Sequence, residues 1–247
     1  MNWWLNFYFG EGPGIPKDAP KPVGLRRLGV TVAREWLGLL QLNLLFIVCA
    51  LPLFTLPAAF SAMTGVLARM DADEPCEVWR DFWRIFATSA LRATGLGLVF
   101  GGAIALSVNV LSFYGTAAQD GSLLFVVPFV IAIVALIFSC LAGCVALQLA
   151  GTTTTPLWTI LRATGVAVII RFLPLSGALV GNAVLWGLHV AAYPATVLMA
   201  ILINFSLGAL LMVFAAGDGP RTSLGYIENL DRARKSQRAP NPITEPQ

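Results

Sequence analysis

The sequence predicts an all-α, multi-pass transmembrane helical bundle, and three observations predict it. The 247 residues are 57% hydrophobic and only 12% charged, about half the ~25% charge of an ordinary soluble domain. The mean hydropathy is +0.76. The charges are also segregated: residues 36–68 carry none, residues 93–161 carry only Asp120, and residues 172–217 carry only the near-neutral His189. This balance excludes an ordinary soluble enzyme, a disordered chain, a disulfide scaffold and a nucleic-acid binder.

A hydrocarbon core ~30 Å thick needs ~20 helical residues, so the charge-free stretches hold about five to six spans. Backbone groups in lipid are satisfied within a helix or a closed barrel. The apolar runs are continuous rather than alternating, which selects helices. The spans fall at 37–67 (broken), 93–114, 123–150, 172–193 and 196–217. Three regions follow: an N-terminal segment (1–35), a transmembrane domain (36–217) and a largely disordered cytoplasmic tail (218–247).

The N-terminal segment opens on an aromatic stretch, Met1–Phe9, that lacks the basic region and cleavage site of a signal peptide. Residues 10–22 (GEGPGIPKDAPKP) read as an extended linker. In the first apolar region, Pro52 and Pro57 break the helix, because proline removes a donor and kinks the chain. Each half is about fifteen residues, ~22 Å at 1.5 Å per residue. A broken hairpin or re-entrant segment is favoured. The rival is one kinked span with the N-terminus outside.

Orientation follows from the sixteen Lys and Arg residues. Five precede the first apolar region, four lie between Arg69 and Arg92, two are Arg162 and Arg171, and five lie in the tail. The turns at 115–122 and 191–195 have none. The positive-inside rule places those turns outside, and the 70–92 and 151–171 segments and the C-terminus in the cytoplasm.

Two cytoplasmic segments read as interfacial helices. In the first, Asp73 and Glu74 precede Pro75, a helix-start arrangement. Trp79, Phe82, Trp83 and Phe86 then recur at helical spacing as an aromatic stripe, a candidate partner-docking face or a headgroup-depth anchor. Glu77 with Arg80, and Asp81 with Arg84, are spaced to pair on the other side. The second segment runs from Pro156 to Arg171, with the Thr152–Thr155 run offering an N-cap.

The pentapeptide LRATG occurs at 91–95 and again at 161–165, each before a two-helix unit. Gly97 with Gly101, and Gly177 with Gly181, form GxxxG pairs that let backbones approach within the bundle or at a homodimer contact.

Catalytic chemistry has no candidate in the residues, and no cofactor or metal is expected. His189 and Ser176 lie thirteen residues apart on one helix, ~20 Å, too far for a dyad. Cys140 and Cys144 share a helical face but lack a third ligand, and packing explains them. The intramembrane amides Gln41, Asn43, Asn109, Gln148, Asn182 and Asn204 read first as interhelical glue. The alternative is a path for a neutral, hydroxyl-rich solute.

Residues 42–59 (LNLLFIVCALPLFTLPAA), Arg69 and the Asp81-Phe82-Trp83-Arg84 run together resemble the YesL family of bacterial integral membrane proteins, most closely over residues 10–95. One departure is Pro57, where many members have glycine. The family has no established activity and lends no functional residues. Its members occur beside sugar-uptake and polysaccharide-degradation genes, which implies a carbohydrate-linked role. The expectation is a non-enzymatic protein of the bacterial cytoplasmic membrane, an accessory or regulatory component of a carbohydrate-uptake system whose partners are the bilayer and sugar transporter permease subunits. The alternative is a stand-alone permease for a neutral, sugar-like solute that uses the amides.

Overall fold

The computed structural model describes residues 24–117 and 123–238. The expected aromatic start, the 10–22 linker and residues 239–247 lie outside the described residues. Every regular element among the described residues is helical, and five helices are long and apolar enough to cross a membrane.

A short helix, α1 (Leu25–Arg34), meets α2 (Trp36–Ala50) at 80°. Within that helix, Thr31 is buried whereas Leu25 and Val30 are exposed, so α1 lies across the bundle end. The chain then breaks at Pro52, passes through a 3-10 turn (Leu53–Thr55) and re-forms as α3 (Leu56–Asp71), with Pro57 in the first turn of α3. The Thr55 hydroxyl donates to the Cys49 and Pro52 carbonyls (2.5 and 2.6 Å), and the Thr55 amide also donates to Pro52, so one residue closes the break.

Helices α2 and α3 pack antiparallel. Gly38 faces Met70, and the Phe46 and Phe60 rings lie 6.4 Å apart edge to face. The hairpin therefore enters and leaves at one end. Just after the turn, Pro57 packs against Gly97 of the neighbouring helix. That point lies about 30 Å short of the neighbour's far end at 1.5 Å per residue.

The neighbour is α4 (Val78–Ala117), one continuous helix of 40 residues. This corrects the expectation of a separate interfacial helix followed by a span. The residues between, Thr88-Ser89-Ala90-Leu91-Arg92, contain no breaker, and the Thr88 hydroxyl returns to the Arg84 carbonyl within the helix. α5 (Leu123–Thr152) packs along α4, and α3 is wedged against both.

α3 is the central element, with eleven of its sixteen residues buried. Many of these are small (Ala58, Ala59, Ser61, Ala62, Gly65), which permits close packing where lipid offers no hydrophobic drive between helices. At Gly151 of α5, an added Cβ would stand 2.2 Å from the Ser61 carbonyl oxygen. Gly151 thus lets the α5 backbone approach that of α3 closely. The GxxxG glycines behave unequally. Gly97 receives Pro57, Gly181 makes an ordinary contact with Leu211, and Gly101 and Gly177 have open space.

α6 (Leu157–Ile170) begins after Pro156, which serves as N-cap residue without a side-chain cap. The threonine run does not cap it. Instead Thr153 and Thr155 bond to each other (3.1 Å), and Arg92 donates to the Thr153 carbonyl at 2.8 Å. The two LRATG copies are accordingly used differently, the first inside α4 and the second in the short α6.

α7 (Phe172–Ala191) and α8 (Val197–Ala216) form the last hairpin. Gly217 follows with a positive φ of 49° and lets the chain turn into α9 (Gly219–Arg238). This helix replaces most of the expected disordered tail. Leu224 and Ile227 are buried in the cluster that contains Ile160, Ala163 and Ala167 of α6. Arg162 on α6 binds both carboxylate oxygens of Asp231 (2.8 and 3.1 Å). A polar composition with apolar residues three apart gave α9 a surface to fold against.

Candidate functional site

Charged and aromatic residues converge at the end of the bundle where α1, α3, α4 and α9 meet. Asp81, 2% exposed, accepts from Arg69 at 2.6 Å, from Arg84 at 2.9 Å and from the Glu77 amide at 3.1 Å. Arg69 also donates to the Pro75 carbonyl at 2.8 Å, so a single guanidinium ties the 72–77 turn to both flanking helices. The turn itself passes through Asp73 at φ 56°, a left-handed conformation that Asp tolerates better than most residues.

The network extends outward. Arg27 pairs with Asp71 at 3.1 Å, Arg34 with Asp73 at 2.7 Å, and Arg221 with Glu74 at 3.6 Å. These contacts bring α1 and α9 to the same end of the molecule. The Glu77–Arg80 and Asp81–Arg84 pairs expected from spacing are both present, at 2.8 and 2.9 Å. The Arg69–Asp81 bond was not legible, because twelve residues and a turn separate its partners. Cys76 lies half-buried in this turn. Burial, with smaller contributions from Glu35 and Asp81, pushes its thiol above the ordinary cysteine range, which keeps it protonated and weakly nucleophilic near neutral pH.

The aromatic stripe divides between two environments. Phe82 is fully buried and stacks on Phe86 at 6.2 Å. Trp79 is 65% exposed and Trp83 39% exposed, their rings 6.1 Å apart. Phe86 is half-buried and edge-on to Trp83 at 5.7 Å. The outward face is therefore Trp79 and Trp83 with the exposed Arg80 and Arg84. Because α4 is unbroken, Trp79 stands about 20 Å along its axis from Arg92, the last charge before the apolar stretch.

The intramembrane amides do not converge. Asn43 is fully buried; it donates to the Ile201 carbonyl at 2.5 Å and accepts from the Ser206 amide at 3.0 Å. The Ile201 carbonyl lies within a π-helical turn (Ala200–Asn204) in α8 and the Ser206 amide just after it, where the wider hydrogen-bond pattern disturbs backbone pairing. Asn182 joins α7 to α8 by donating to the Gly208 carbonyl at 3.0 Å. Asn109 is exposed and bonds back to Ala105 of its own helix at 2.8 Å. Gln41 is exposed on α2. Gln148 is buried beside the Arg27, Asp71 and Asp218 cluster. Asn204 is buried, and its amide nitrogen has no partner among the described residues.

His189 packs edge-on to Trp186 at 5.7 Å. Ser176 and His189 sit near opposite ends of α7, as their spacing requires. Among the described residues, no group of three His, Cys, Asp or Glu side chains is placed to hold a metal ion.

Comparison with known families gives one finding. Residues 39–110 match a family of proteins of unknown function, DUF624. The DUF624 match runs from α2, through the hairpin break and the Arg69–Asp81 junction, into the apolar part of α4, and so covers the α3 and α4 residues of the charged and aromatic end but not those of α1 and α9. No curated protein and no solved structure matches the chain.

Proposed function

We propose that this protein is a YesL-like, non-enzymatic component of the bacterial cytoplasmic membrane that assists or regulates a carbohydrate-uptake system by direct contact with transporter permease subunits. The observation that carries the reading is the exposed Trp79 and Trp83 pair beside Arg80 and Arg84. On a continuous helix these rings stand well past the charge boundary at Arg92, farther than the few ångströms of headgroup region outside the hydrocarbon. Tryptophan and arginine are the residues that most often anchor protein contacts. The Arg69–Asp81 bond and the buried Phe82 hold that surface rigid.

The carbohydrate link comes from the YesL resemblance alone, and the positive-inside pattern supports a cytoplasmic C-terminus. A stand-alone permease draws less support from the geometry. Asn43 and Asn182 spend their donors on helix packing, and Asn109 lies on an outer face. The test is uptake of labelled oligosaccharide by a strain lacking the gene and complemented with wild type or the Trp79→Ala/Trp83→Ala variant. Restored uptake with wild type alone, at equal membrane abundance, is the expected result. Full restoration by the variant contradicts it.

A further inference from the structure

We propose that a cleft between α3, α5, α7 and α8 binds a neutral lipid alcohol, whose hydroxyl accepts from the Asn204 side-chain nitrogen and donates to the Asn182 side-chain oxygen. The cleft is half-open, about 200 Å³ in volume, and is walled by Phe60, Leu179, Trp186 and Met212 with the two amides between them. Asn204 is 3% exposed, and its nitrogen is buried without a partner. A buried donor left unmade is costly, which marks the position where an acceptor is missing. Asn182 acts as a donor in its bonds to the Ala178 and Gly208 carbonyls, which leaves its side-chain oxygen as the acceptor. Gly208 makes room for that oxygen, since a Cβ there would lie 2.2 Å from it.

A donor and an acceptor that line one cleft suit a single hydroxyl. No charged side chain lines the cleft, so an ionic headgroup has no counterion there. A sugar would bury several hydroxyls against apolar walls with only two amides to meet them. Asn182 lies about 15 Å along α7 from its start, at hydrocarbon depth, where a ligand's apolar body continues into the bilayer.

The experiment uses the full-length protein in nanodiscs, photolabelled with dodecanol carrying a chain diazirine. The same diazirine alkane without the hydroxyl is the comparator. Labelled peptides are mapped by mass spectrometry. The alcohol is expected to label α7 and α8 around Asn182 and Asn204 about tenfold more than the alkane, the factor that two net hydrogen bonds contribute. Unlabelled dodecanol should compete and dodecane should not; this arm needs no variant. Asn204→Leu should remove the preference. Equal labelling by alcohol and alkane overturns the proposal and leaves an apolar crevice or one holding only water. Competition by dodecane, or an undiminished preference in correctly folded Asn204→Leu, overturns it as well.

Discussion

At the scale of single residues, small side chains and one buried carboxylate decide how the helices meet. Gly151→Ala would drive a methyl into the Ser61 carbonyl, a backbone atom that cannot swing away. Overpacking of this kind costs about 1–3 kcal/mol, whereas Gly101→Ala, facing open space, should leave stability unchanged. Thermal unfolding of the two variants in one detergent checks the difference. Asp81→Asn removes the charge that answers both Arg69 and Arg84. The expected loss is about 3 kcal/mol, at the low end for a broken buried pair because Arg69 stays partly solvated. An unchanged unfolding temperature would contradict the clamp. The pairs within α4 were legible from spacing, since residues three apart on a helix are neighbours. The Arg69–Asp81 contact and the Gly151–Ser61 contact were not, because both depend on how separate helices are placed.

At the scale of elements, the charge-free stretches located α4, α5, α7 and α8 because lipid demands long uncharged helices. The N-terminal extension of α4 and the whole of α9 escaped that signal. Arg92 sits where a span was expected to begin, yet one arginine whose guanidinium reaches neighbouring carbonyls does not interrupt a helix. α9 was masked by its polar composition, and its apolar residues Leu224 and Ile227 have meaning only against α6. Deletion of residues 219–238 is therefore expected to lower thermal stability by more than Arg162→Ala does. The deletion uncovers apolar core as well as breaking the Arg162–Asp231 pair, and scanning fluorimetry of both variants measures it. The π-helical turn in α8 is a third element with no sequence signature. Asn43 compensates it, so one candidate site residue has a structural explanation.

At the scale of the whole molecule, the ion pairs gather α1, the α3–α4 turn and α9 at one end, and the start of α3 packs on α4 through Pro57 and Gly97. The paired prolines predicted the break between α2 and α3, and labelling from outside distinguishes a re-entrant hairpin from two full crossings. A cysteine placed at Leu53, in the turn, should resist a membrane-impermeant maleimide added from outside intact cells. One placed at Ala192, in the turn after α7, should react. Rapid outside labelling at 53 would mean that the first region crosses fully.

The proposed docking of a membrane transporter at the end of α4 is open to cross-linking in living cells. A photoreactive phenylalanine analogue at position 79 should capture a sugar permease subunit, identified by mass spectrometry. The same group at exposed Leu98, on the apolar part of α4, should not. Cross-links from position 79 to lipid alone, or equal capture from both positions, would rule out docking at this face.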